Sequence, residues 1–231
     1  MTELKLRASP LYRMRPPTKV VKRKSGPFRL KKNSRIVGVV LAGGLSSRMG
    51  QDKALVRLSD GENADLLTRT VNLLQDVCGR AIVVGRMQEG YACIPDTSPG
   101  HGPVGGIATA LEHCSGAACL VLSCDLPFME HSVLEALIRH RNTRPAESHV
   151  TAYRQGDAGH IEALVAIYEP ECLPYFKACV NEKLLKISRV VPLHQQHFIT
   201  YSAKEALPFF NLNYPADLEM ARRMVGMLGR N

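Results

Sequence analysis

Ile36-Val37-Gly38-Val39-Val40-Leu41 runs directly into Ala42-Gly43-Gly44-Leu45-Ser46-Ser47-Arg48-Met49-Gly50-Gln51-Asp52-Lys53, and this passage decides the fold. A short apolar run that ends at a glycine-rich segment reads as a buried strand entering a tight turn. Gly43, Gly44 and Gly50 permit backbone turns whose N–H groups point at phosphate oxygens, while Ser46, Ser47, Arg48 and Lys53 supply donors and positive charge. The segment is expected to cradle a triphosphate. It has neither the G-x-x-x-x-G-K-[ST] spacing of a P-loop nor the G-x-G-x-x-G of a dinucleotide fingerprint. Taken alone it also fits a tight strand-to-helix turn with surface charges.

Outward from this passage, short apolar runs alternate with helical patterns, which predicts βαβ units around a mostly parallel sheet, an α/β fold. Leu67, Val71, Leu74 and Val77 put one apolar stripe on a helix over Asp65 to Val77, followed by a strand at Ala81 to Val84. A helix is predicted over Gly105 to His113, then a buried strand from Ala118 to Ser123 ending at Cys124-Asp125. Ser132 and Glu135 have the spacing of a capping box opening the next helix. Further strands are expected at His149 to Tyr153 and Leu164 to Tyr168, and a helix over Glu171 to Val180. Pro215 suits the first position of a last helix, with its stripe at Leu218, Ala221, Val225 and Leu228.

Two carboxylates stand out against this frame. Asp125 follows the apolar run ACLVLSC, and in an open parallel sheet ligands sit at the carboxyl ends of strands. It is placed to hold Mg2+, which takes one or two carboxylates and completes its shell with phosphate oxygens and water. Asp96 lies in PDTSPGHGPVGGI, Pro95 to Ile107, where it can accept from the N–H groups of a guanine edge. Gly100, Gly102, Gly105 and Gly106 there allow a close backbone wall around a base, although a surface loop explains the same composition.

The net charge of +9 on 231 residues suggests nucleic acid until it is located. Residues 1–35 hold 12 Lys and Arg against one acid, leaving 18 basic and 20 acidic residues, a charge of −2, for the rest. Residues 1–34 read as a basic, flexible arm and 35–231 as one catalytic domain. The arm lacks the interleaved aromatics of an RNA-binding segment, so nucleic acid is not an expected partner. Its functional reading is a tether to an acidic partner or anionic surface, and its bland reading a solvated tail. No apolar run approaches a membrane span and no secretory signal is apparent, so the cytoplasm is the expected compartment. The odd count of seven cysteines contains no C-x-x-C pair and reads as reduced thiols rather than a metal cluster.

The motifs LAGGxSxRMGxDK, PDxxPGxGPxxGI, a strand ending in CDLPF, and FFNLNYPADL occur in an order and spacing that resembles the molybdenum cofactor guanylyltransferases of the MobA-like nucleotidyltransferase family. The similarity runs from about Ile36 to Leu228. It implies a three-layer αβα, Rossmann-like fold, and transfer of GMP from GTP to the terminal phosphate of molybdopterin with Mg2+ as cofactor. Related cytidylyltransferases usually read LAAG and DQP, so LAGG and CDLP look like the GTP-using branch. By resemblance Leu41, Ala42, Gly43, Gly44 and Lys53 bind GTP, Asp96 meets the guanosine, and Asp125 meets nucleotide and metal. Arg48 neutralises triphosphate charge. Asn211 and Asn213 match the family's NxNxP near metal and product phosphates, and His160 matches a segment on the molybdopterin side. Two positions depart from the pattern: Ile161 stands where Pro usually follows the His, and Gly85 where Asn often touches the nucleotide, a loss for which Arg86 or backbone contact is a substitute. A recipient molybdoenzyme or cofactor-delivery protein is the further partner implied. The alternatives are a related CTP-dependent or sugar- or polyol-phosphate nucleotidyltransferase, and a non-catalytic nucleotide-binding adaptor that delivers cofactor.

Overall fold

The computed structural model describes residues 36–43, 52–58 and 64–228. The basic segment 1–34 and the positions Gly44, Ser46, Ser47, Arg48 and Gly50 lie outside the described residues. A seven-stranded sheet forms the middle layer. Its strands are β1 (Ile36–Leu41), β2 (Ala81–Val84), β3 (Cys93–Ile94), β4 (Ala118–Ser123), β5 (Val150–Gln155), β6 (Ile161–Tyr168) and β7 (Gln196–Tyr201), in the order β3-β2-β1-β4-β6-β5-β7. All neighbouring pairs are parallel except those of β6, which runs antiparallel to both β4 and β5. The α/β reading and the mostly parallel sheet hold.

Side-chain alternation divides the core into two faces. Ile36, Val40, Ala118, Leu120 and Leu122 pack with Leu67, Val71 and Leu74 of α1 (Leu66–Cys78) and with Leu134, Leu137 and Ile138 of α3 (His131–Asn142). Val37, Val39, Cys119 and Val121 pack with Ile107 and Leu111 of α2 (Gly102–His113) and Phe176 of α4 (Leu173–Glu182). Two helices on each face of one sheet make the three-layer αβα arrangement. Gly38 is required here, because a Cβ on it would lie 2.7 Å from the Leu74 Cβ of α1. Cys119 and Cys124 fall on opposite faces, so no cluster joins them with Cys114, and every cysteine is a free thiol.

Several element boundaries depart from the pattern. α2 begins at Gly102 rather than Gly105, with Pro103 in its first turn, where a missing N–H costs nothing. The expected capping box at Ser132 does not form: Glu130 is the N-cap without a side-chain cap, and Ser132 lies inside α3, its hydroxyl donating to Glu130. β6 starts at Ile161, three residues before Leu164. The helix expected from Glu171 is a short 3-10 turn at Pro170–Cys172 leading into α4. Pro215 does open the last helix, α5 (Pro215–Leu228), whose Leu218 and Ala221 join a small third cluster with Val56, Leu66 and Phe128. Among the described residues no helix is long and apolar enough to cross a membrane.

Candidate functional site

β1 is followed by β2 on one side and flanked by β4 on the other, so the sheet order reverses beside β1 and a crevice opens at the carboxyl ends of β1 and β4. Gly43 stands at the first of these ends and Asp125 just past the second. Further along the chain, Asp52 caps a 3-10 turn, Lys53–Leu55, by accepting from the Ala54 N–H at 3.1 Å. That turn returns Lys53 to the crevice. Its Nζ lies 3.6 Å from Asp125 Oδ2 and 3.4 Å from Asn213 Oδ1. Three residues far apart in sequence thus converge on one point.

Each is held from behind. The Ser123 hydroxyl donates to Asp125 Oδ1, which fixes the carboxylate, and the Asp125 carbonyl accepts from the Leu212 N–H at 3.0 Å. Leu212 is fully buried between Asn211 and Asn213, so the segment is anchored and its two amides flank the anchor. The Asp217 carboxylate accepts from the N–H groups of Asn213 and Tyr214, both at 2.8 Å. Ser123 and Asp217 carry no sequence signal of their own beyond standing inside the motifs.

The oxygens gathered here suit a hard divalent cation. Asp125 supplies one carboxylate and Asn213 one amide oxygen, both on Lys53, while the nearby chain carries Asn211, whose Oδ1 is buried without a hydrogen-bond partner among the described residues. No group of three His, Cys, Asp or Glu side chains comes together among the described residues, so a cation here would draw further ligands from phosphate and water.

At the end of β1, the Ala42 N–H donates to the Val84 carbonyl at 3.1 Å, and the Leu41 side chain packs against Gly106 of α2. Gly85 has φ +82, and a Cβ on it would lie 2.9 Å from the Gly43 Cα. Glycine there allows the turn after β2 to lie directly on the glycine turn after β1. Arg86, expected as a substitute for a missing Asn, is ion-paired with Asp52. Asp96 Oδ1 accepts from the Ser98 N–H at 2.8 Å and the Thr109 hydroxyl at 3.0 Å, tying its loop to α2 and leaving Oδ2 without a described donor.

Beside Asp125 a cavity of about 880 Å3 is lined by Asn211 and Asn213 and extends along β6 and β7. His160 lines it too, but its side chain is 67% exposed, whereas Glu162, two residues on, is 15% exposed and hydrogen-bonded to Tyr201. The carboxylate missed in the sequence is the better-held group of the two.

Residues 38–197 match the family described as the MobA-like NTP transferase domain. A probable molybdenum cofactor guanylyltransferase of Pelotomaculum thermopropionicum is 33% identical over 197 residues, covering 81% of this chain and 92% of that one. A molybdenum cofactor guanylyltransferase of Xanthomonas euvesicatoria is 31% identical over 182 residues, covering 77% and 89%. The crystal structure of molybdopterin-guanine dinucleotide biosynthesis protein A from Archaeoglobus fulgidus superposes with a TM-score of 0.64 at 24% identity, over 83% of this chain and 99% of that one.

Proposed function

The chain belongs to the MobA-like NTP transferase family and is a nucleotidyltransferase, and from that premise we propose that it transfers GMP from GTP to the terminal phosphate of molybdopterin, releasing pyrophosphate and forming a guanine dinucleotide cofactor. The observation that carries the reading is the convergence of Lys53, Asp125 and Asn213 between the Gly43 turn and a cavity large enough for a second substrate. The names of the 33% and 31% identical relatives support guanine as the base and the molybdenum cofactor as acceptor.

The nucleophile is a phosphate, already anionic at neutral pH, so the protein needs no strong general base. Positioning and charge neutralisation supply the rate. The acceptor oxygen attacks the α-phosphorus in line, the bond to the bridging oxygen breaks, and pyrophosphate leaves with that oxygen. Lys53 offsets charge on the triphosphate and the departing pyrophosphate, with Arg48 assigned the same task by resemblance. The backbone of Leu41, Ala42 and Gly43 lies along the nucleotide, with Gly44 assigned the same task by resemblance, and Asp96 Oδ2 is the oxygen left for the guanine edge. Asp125, oriented by Ser123, would hold Mg2+, with Asn213 on the same Lys53 amine and Asn211 assigned a place beside it by resemblance. When bound, that ion supplies Lewis-acid neutralisation of the phosphates.

The test is to incubate the chain with Mg2+, GTP and molybdate-loaded molybdopterin and to seek the dinucleotide cofactor by mass. GTP is expected to serve and CTP to fail, in turnover and in calorimetric binding. Equal use of CTP overturns the base assignment, and pyrophosphate release with a sugar phosphate but not molybdopterin overturns the acceptor.

A further inference from the structure

The wall formed by the starts of β6 and the end of β7 has a chemistry that phosphate handling does not use. β6 runs antiparallel to β4, with Leu122 opposite Val165, so the first residues of β6 lie beside the end of β4 that leads to Asp125. There Glu162 lines the same cavity as Asn213, among apolar side chains that include Leu164, Phe209 and Phe210. Its Oε1 accepts from the Tyr201 hydroxyl, and Oε2 receives no hydrogen bond from a described residue. Its one ion-pair partner among the described residues is the exposed His160, at 3.8 Å.

Tyr201 is locked in turn. It is 6% exposed, with its ring centroid 4.4 Å from Phe209 and 6.3 Å from Tyr153. Burial, then the hydrogen bond to Glu162, push its phenol well above the usual range, so it stays a donor at any working pH. Glu162 is therefore a fixed carboxyl group with one oxygen open to a ligand's donors, in a cavity lined by apolar side chains together with Lys204, Asn211 and Asn213. A flat heterocycle with a ring N–H beside an exocyclic amino group offers two parallel donors matched to the two oxygens of a carboxylate. The aromatic side chains near it suit the faces of such a ring.

We propose that Glu162, oriented by Tyr201, selects the acceptor by accepting the paired N–H donors of its aminopyrimidinone edge while the acceptor phosphate faces Asn213, Asp125 and Lys53. The proposal rests on the reading of the acceptor as a pterin phosphate. It makes Glu162 a specificity-determining residue and Tyr201 a positioning residue.

The experiment is steady-state kinetics of Glu162→Gln and Tyr201→Phe with each substrate varied in turn, beside inhibition by 2-amino-4-oxopteridine and by its 2,4-dioxo analogue. Glu162→Gln is expected to raise the KM for molybdopterin by about tenfold or more, with kcat and the KM for GTP within about twofold. Tyr201→Phe, which keeps the ring, is expected to raise it by about threefold to tenfold. The wild-type enzyme should be inhibited by the amino compound and not the dioxo one, a preference Glu162→Gln should lose. Turnover by wild-type chain with an unchanged molybdopterin KM and unchanged inhibitor preference in both variants overturns this inference alone. Absence of any wild-type turnover with molybdopterin overturns the function on which it rests, and the inference with it.

Discussion

Lys53 and Asp125 sit 3.6 Å apart with side chains only 17% and 16% exposed, so each is held where water screens the pair poorly. On the proposed reading, removing Lys53 takes away a counter-charge to the phosphates, and removing Asp125 takes away the carboxylate that would hold their Mg2+. Lys53→Ala and Asp125→Ala are each expected to lower turnover on the order of a hundredfold or more with unchanged far-ultraviolet circular dichroism. Product formation near the wild-type rate by either would refute these roles. At this scale the sequence is informative about position where a residue closely follows a strand, as Gly43 follows β1 and Asp125 follows β4. It was silent where the role depends on a contact across the fold. Ser123 is one more strand residue until its hydroxyl is seen on Asp125, and Glu162 one more polar residue until Tyr201 meets it. Gly85 reads as a loss of a side chain, yet its positive φ and its contact with Gly43 make it part of the turn's packing.

The helices over the sheet were legible because their apolar stripes face one layer, whereas their ends were set by local competition. Ser132 and Glu135 have capping-box spacing, but the chain enters α3 one residue before Ser132, and the serine turns to Glu130 instead. β7 gave no signal, because its side chains are mostly half-buried and QHFITY does not alternate. The entry to α5 is the element on which the site depends most. Asp217 at its start accepts from two N–H groups of the Asn213 segment, so Asp217→Ala should cost about 1 kcal/mol of stability by urea denaturation. Turnover should fall more than that loss explains, because Asn213 is released from Lys53; unchanged kcat would separate the cap from the site. β7 also carries a pH dependence. His197 is held below its ordinary pKa of 6.5 by burial, then by His140 and Arg144. The unfolded chain therefore takes up its proton first, so the stability His197 contributes is full above that value and lost as pH falls through it. Thermal melts from about pH 7 to about pH 5 should show a shallower decline for His197→Gln than for wild type.

Over the whole sequence, positive charge is concentrated before Ile36. The described site uses nothing before Ile36, while residues 1–35 hold 12 of the 30 Lys and Arg. Deleting residues 1–34 should leave kcat and the KM for GTP within about twofold and abolish retention on a cation exchanger, since a near-neutral chain has little electrostatic pull on the resin. A large loss of kcat would show that the arm belongs to the site. The single reversed strand, β6, has a consequence of its own. It brings the start of β6 level with the exit of β4, so on the proposed reading the donor's groove and the recipient's wall meet along one seam. Material beyond that seam is free to diverge while the triphosphate machinery stays as it is. A graft of residues 150–201 from a relative with a different recipient should then change what receives the nucleotide and not which nucleotide is spent.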